Sequence, residues 1–527
     1  MSVNTVTEHR HRSGGRAARR AIRSAPLAED LRAIRPGLES GCYKPLGEQD
    51  IVKINHAALD VVERIGLADA TPTVIEAVVA AGGMLKENGR LCFPQAMVED
   101  MLAKANRNLV LHAQDPKWDL DLSGSHTYFS TAGAAVNMID ARSGDYHQST
   151  SQDLYNIARL VDTLDNIHMF QRSVVCRDIP DTFDLDFNTC YIAVSGTRKH
   201  VGSSWSDPES LQASLKMLHQ IAGGEAQWRA RPFVSISSCF VVPPLKFATG
   251  ALDCLEVAIR GGMPALMLAA GQAGATSPAS LAGAVVQQTA EVLAGFCIAN
   301  AIKPGAAVIF GTWPFVSDLR TGAMSGGSPE QALLVSACAQ MGRFYDLPTG
   351  ICSGMSDSKI PDYQAGAEKG YSHALTANSG ANLIYEAAGM HSSLLGCCYE
   401  SFVLDNDTIG DALRTVRGIE VTDEAIGIES MRAVCEEGPG HYLGHDQTLK
   451  LMQTEYYYPA TADRSSPKEW DEKGRPTALS LAENIVKKTL DEHYPRHIPD
   501  ALDAWIRDEF VVKLPRDAMT PTASGDT

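Results

Sequence analysis

The chain has 527 residues, 44 % of them hydrophobic, and a formal net charge of −17. That length supports two or more domains, or one barrel with extensions. The acidity argues against the basic face that a nucleic-acid surface needs. No apolar run reads as reaching the roughly 20 residues that span a bilayer, so the expectation is a cytoplasmic protein without membrane attachment.

The first stretch, "EHRHRSGGRAARRAIRSAP", is rich in arginine and poor in acid. Residues 1–40 read as a disordered basic tail, with a mitochondrial presequence as the alternative. Residues 41–125 show amphipathic segments at 50–65, 72–81 and 94–105, a helical extension expected to cap the bottom or side of the main domain.

From residue 126 short apolar runs alternate with helical patterns. "TAGAAVNMID" reads as the first strand or a hairpin, followed by a helix over 152–164. "HMFQRSVV", "KHVGSSW" and "FVSISS" lead into helices near 183–194, 208–222 and 245–259. "PALMLA", "AVIFGT", "PTGICS" and "ANLIYE" lead into 278–301, 329–344, 363–375 and a helix within 395–416. Asp207-Pro208 and Ser277-Pro278 supply caps with proline in the first turn. Eight strand–helix units with strands apolar on both faces predict an α/β fold, a (β/α)8 TIM barrel over 126–419. An open doubly wound sheet is the rival, but no early strand runs into G-x-G-x-x-G. A helical C-terminal extension over 420–515 and a frayed tail over 516–527 complete the chain.

Active sites of such barrels form at the C-terminal ends of the strands, and there the sequence changes character. "SGMSDSKIPD" after the seventh strand gathers Met355, Asp357 and Lys359. The third strand end offers Trp205, the fifth Gln272, the sixth Trp313 and Phe315, and the eighth Tyr385, Glu386 and His391. Glu386 and Asp357 are the carboxylates expected to carry the chemistry. Aromatic faces beside a carboxylate attract a quaternary ammonium, and a glutamate directly after "NLIY" is costly to bury without a cation. For each aromatic the plainer reading is barrel packing, and for His391 a satisfied loop histidine.

Twelve cysteines without a C-x-x-C pair fit a reducing compartment. "GPGHYLGHDQTL" spaces His441 and His445 by four, but the glycines favour a loop over a metal site. "LLGCCYE" is similar to the G-C-C of zinc-dependent homocysteine methyltransferases. Here Cys397 and Cys398 fall more than ten residues past the eighth strand, in a region read as helix, with Cys352 as the one available third thiolate. No metal site is expected, and this zinc enzyme stays as an alternative.

Taken together, "SDSKIPDYQAGAEK", "NLIYEAAGM", "FVLDNDTIGDALR" and "GPGHYLGHDQTL…MQTEYYYP…DR" resemble the trimethylamine methyltransferase family over about residues 43–510. The resemblance implies a (β/α)8 enzyme that moves a methyl group from a methylated amine to the cobalt of a separate corrinoid protein. No cofactor is then tightly bound, because the corrinoid is supplied by that partner. Archaeal members acting on trimethylamine carry pyrrolysine just ahead of Ser-Asp-Ser-Lys. Met355 stands there in this chain, which aligns it with the non-pyrrolysine branch, whose substrates are quaternary amines such as glycine betaine. Lys359 or Arg177 would then meet a betaine carboxylate. A betaine-binding barrel without catalysis is the remaining alternative, and a homo-oligomer is compatible with all of these readings.

Overall fold

The computed structural model describes residues 28–436, 438 and 440–521. Most of the expected basic tail and the last six residues of the expected frayed tail lie outside that range. Eight parallel strands alternate with helices: β1 (His126–Phe129), α1 (Ser151–Asp162), β2 (Met169–Gln171), α2 (Thr182–Gly196), β3 (His200–Ser203) and α3 (Pro208–Ile221). They continue with β4 (Val234–Ser238), α4 (Thr249–Arg260), β5 (Ala265–Ala269), α5 (Leu281–Ile302), β6 (Val308–Thr312) and α6 (Pro329–Phe344). The set ends with β7 (Thr349–Cys352), α7 (Tyr363–Ala377), β8 (Leu383–Tyr385) and α8 (Tyr399–Arg417). Neighbours pair in sequence order from β2 to β8, and β8 pairs with β1. A parallel bridge from Ser130 to Met169 joins β1 to β2 and closes the ring. The barrel expected from eight strand–helix units is therefore present and has no open edge.

Local chemistry explains the boundaries. Thr150 and Asp153 form a capping box at α1, Asp207 caps α3 ahead of Pro208, and Ser328 caps α6 ahead of Pro329. The helix expected from Leu245 begins only at Thr249, because 241–247 is folded back on itself and Leu245 donates its N–H to Glu291. The first strand also lies earlier than expected. "HTYFS" is the barrel strand, although His, Thr and Ser interrupt its apolar pattern. Residues 131–134 of "TAGAAVNMID" run without regular structure, Ala135 bridges to Val174, and Asn137–Ile139 joins a small sheet outside the barrel.

Helices Glu48–Asp60, Pro72–Ala80 and Gln95–Ala103 pack against α5 on the side of the barrel. Covered in this way, α5 is buried along most of its length, its polar Gln287, Gln288 and Glu291 included. It is the one described helix long and apolar enough to cross a membrane, contrary to the expectation of none, but 78 % of its apolar window is buried within the protein. The expected tail ends before residue 40, because Leu38–Glu39 pairs antiparallel with β1.

The segment expected as one C-terminal extension, 420–515, is divided. Residues 459–521 belong with 36–417: Ala478–Glu492 packs on α8 and α1, and Asp500–Glu509 on α3, burying Ala482, Val486, Ile506 and Leu514. Residues 418–458 with 28–35 form a second unit. Among the described residues of 418–458 only Val434 is buried among the apolar side chains. Residues 418–458 therefore contribute little apolar core of their own.

Candidate active site

Glu386 is the first residue past β8. It is 2 % exposed and has φ of +62°, a left-handed conformation that costs a non-glycine residue on the order of 1–3 kcal/mol. Both carboxylate oxygens accept from the Gly133 N–H at 3.1 Å, and no cation among the described residues pairs with them. Burial pushes the carboxyl up to about 8, against a smaller opposing effect of the Gly133 hydrogen bond. Gly133 is glycine for want of room, since a Cβ there would lie 3.1 Å from Glu386 Oε1 and 3.4 Å from Gln171 Cγ.

Beside Glu386, the Tyr385 ring meets the Trp313 ring at 5.3 Å and 46° across β7. Gly350 on β7 makes this possible, as a Cβ there would sit 3.0 Å from Tyr385 Cε2. Both rings are buried, yet Tyr385 OH and Trp313 Nε1 have no hydrogen-bond partner. Two buried polar atoms without partners beside a carboxylate without a cation make this cluster the candidate ligand site.

The loops around this centre are joined to one another. Gln272–Ala273 pairs with Phe315–Val316, linking the loops after β5 and β6. Met390–His391, Gly396–Cys397, Asn137–Ile139 and Tyr146–Gln148 form a four-stranded sheet that links the loops after β8 and β1. Asp357 connects the two groups. Its Oδ2 accepts from Ser325 Oγ, and its Oδ1 accepts from Gly326 N and Ser393 Oγ, each at 2.7 Å. Asp357 N and Ser356 Oγ in turn donate to Glu368. The structure thus gives Asp357 a loop-clamping position, with both oxygens engaged.

The other expected site residues divide between mouth and surroundings. Phe315 is buried and Gln272 half-buried in the paired loops. Met355 is fully buried, with Gly326 packed against its Cβ. His391 is buried, with Nε2 on Ser401 Oγ at 2.6 Å, and burial together with Lys369 holds its ring well below the usual histidine range. Lys359 is exposed, its ammonium donating to the Asp357 carbonyl, and Arg177 is exposed as well. Trp205 is turned away from the mouth, its Nε1 donating to Ser214 Oγ on α3 at 2.9 Å.

Sequence reasoning passed over two residues. Gly133 follows a strand that was placed too late in the chain. Gln171 is buried, accepts from Ser237 Oγ at 3.1 Å, and sits beside Gly133. The polar pair Gln-Arg interrupting "HMFQRSVV" was the available signal.

The structure places the cysteine pair differently from the sequence expectation. Cys397 lies in the small sheet and Cys398 between that sheet and α8, which corrects the helical reading. Both are buried, and burial pushes the Cys398 thiol up to about 12 and Cys397 well above its ordinary value. Among the described residues no three His, Cys, Asp or Glu converge as metal donors.

Comparison with known proteins adds a family. Residues 12–518 match the trimethylamine methyltransferase (MTTB) family model. The chain is 30 % identical to trimethylamine methyltransferase MttB of Desulfitobacterium hafniense DCB-2 over 87 % of its length and 92 % of that protein's. It is 30 % identical to the glycine betaine methyltransferase of D. hafniense Y51 over 81 % and 88 % of the two chains. Among solved structures, Methanosarcina barkeri monomethylamine methyltransferase covers 88 % of this chain and 89 % of its own at 10 % identity and a TM-score of 0.48.

Proposed function

Because the chain belongs to the trimethylamine methyltransferase family, we propose that it moves a methyl group from a quaternary amine, glycine betaine or a similar betaine, to the Co(I) of a separate corrinoid protein. The observation that carries this reading is Glu386, a buried carboxylate with no cation of its own beside the open Trp313–Tyr385 pair. A permanently methylated cation supplies the missing charge and asks for no hydrogen bonds, and aromatic faces stabilise it further.

The chemistry suits these residues. The corrinoid supplies a strong nucleophile, Co(I), that accepts the methyl group. When the methyl–nitrogen bond breaks, its electron pair stays on nitrogen, which becomes a neutral tertiary amine and needs no proton. Glu386 therefore acts by holding the cation, Trp313 and Tyr385 by fixing its orientation, and Phe315 with Gln272 by walling the same side of the mouth. Alignment of this kind contributes several kcal/mol. Asp357 holds the loops in register. Met355 offers no group that could activate a protonated tertiary amine. Twelve free thiols fit a reducing, cytoplasmic setting.

The test is incubation of the protein with a Co(I) corrinoid protein and either glycine betaine or trimethylamine at equal concentration, following methyl-Co(III) by absorbance. Methylation from glycine betaine alone is expected. Faster methylation from trimethylamine overturns the substrate class, and betaine binding without transfer marks a binding protein.

A further inference from the structure

We infer that Gln171 reads the oxygen end of the substrate, its amide Nε2 donating to a carboxylate carried by the same molecule as the methylated nitrogen. The inference rests on the quaternary-amine reading above and deepens it by assigning a residue to the second recognition group.

Gln171 ends β2, and its side chain starts next to Glu386. The two meet at one glycine: a Cβ on Gly133 would stand 3.1 Å from Glu386 Oε1 and 3.4 Å from Gln171 Cγ. Thr131 fixes the Gln171 backbone, its hydroxyl accepting from Gln171 N at 2.8 Å and donating to Gln171 O at 2.7 Å. From there the side chain crosses β3 at Gly202, its register partner, where a Cβ would stand 2.9 Å from Gln171 Cδ and overlap Oε1. Only glycine leaves room for that crossing. The amide ends at β4, where Ser237 Oγ donates to Oε1 at 3.1 Å. Ser237 pairs with Leu266 on β5, and Leu266 reaches inward past β6 to Gly350 on β7. A Cβ on Gly350 would stand 2.7 Å from Leu266 Cδ1 and 3.0 Å from Tyr385 Cε2. Gln171 therefore shares the inner face of the barrel mouth with Glu386 and with the Trp313–Tyr385 pair.

The amide is only half used. Oε1 is engaged by Ser237, yet no hydrogen bond among the described residues takes Nε2, although Gln171 is only 4 % exposed. A donor shielded from water without an acceptor is costly. An amide nitrogen donates and does not accept, so a methylated cation cannot satisfy it and an oxygen can. Trp313 Nε1, also a donor only, is open in the same mouth. Glu386 thus asks for a positive charge at Gly133, while Gln171, reaching over β3 to β4, asks for an oxygen acceptor. A betaine carries both groups, and its carboxylate makes the stronger, charge-assisted bond to the amide. Tetramethylammonium carries only the first.

The experiment is calorimetric binding, with no cobalt acceptor present, of glycine betaine and of tetramethylammonium to the wild type, Gln171→Met and Gln171→Glu. Wild type should bind glycine betaine more tightly than tetramethylammonium. Gln171→Met, which keeps the length and removes the donors, should weaken glycine betaine by about tenfold or more. It should leave tetramethylammonium within about twofold, which also shows that the variant is folded. Gln171→Glu, which keeps an acceptor for Ser237 and sets a carboxylate against the ligand's own, should weaken glycine betaine at least as much and tetramethylammonium not at all. It carries the test if Gln171→Met does not fold. Equal loss for both ligands, or none for glycine betaine, overturns the assignment. A wild type that binds neither ligand refutes the quaternary-amine reading itself, whereas one that binds both equally refutes only the role of Gln171.

Discussion

At the scale of single residues, the proposed site takes its expected pH response from Glu386. Its carboxyl is raised to about 8 in the empty protein, and a bound cation beside it favours the charged form. Binding a quaternary amine below about pH 8 should therefore release a proton. Affinity should rise with pH, by at most tenfold per unit, and level off above about 8. Calorimetry in buffers of different ionisation enthalpy measures the proton directly, and Glu386→Gln should abolish both the release and the slope. The same shift has a stability sign. A carboxyl raised on folding binds its proton more tightly in the native state, so the native state loses stability as pH rises from about 4.5 to about 8. Thermal melts of the empty protein should show Glu386→Gln gaining on wild type across that interval. Glu386 was legible in the sequence because a charge ending an apolar strand demands a partner. Gly133 was not, because the strand that precedes it mixes buried Thr127 and Ser130 with Phe129 and offers no apolar contrast to locate it.

At the scale of elements, α7 and α8 are joined by Lys369 and Asp405, an ion pair at 2.5 Å with side chains only 3 % and 5 % exposed. Asp405 also accepts from Gly389 N in the loop that follows β8. Removing one partner strands the other charge, so Lys369→Met should cost about 3–5 kcal/mol in urea denaturation. Adding Asp405→Leu should recover a large part of that loss. The elements themselves were mostly readable: α6 has the expected limits, and seven of the eight strands fall on the apolar runs that announced them. The first strand was missed because the ring buries Thr127 and Ser130 as fully as Phe129, so hydropathy had no contrast to offer. The small sheets of the rim were invisible for a related reason. Strands of two or three residues lack a period, and their pairing depends on loops that are distant in sequence.

At the scale of the whole molecule, protection should be uneven. Residues 36–417 and 459–521 share a closed sheet and an extensive core, whereas described residues of 418–458 have little buried apolar surface. Hydrogen exchange should leave the strands β1–β8 protected for hours and replace most amides of 418–458 within minutes. The stitched rim behaves differently from both. Loops after β5 and β6 are paired, those after β8 and β1 share a sheet, and Asp357 ties these groups to each other. Their conformational freedom is thus surrendered when the chain folds, not when the small molecule arrives. A ligand with few rotatable bonds then meets walls already in position, and its association carries little further entropic penalty from the protein.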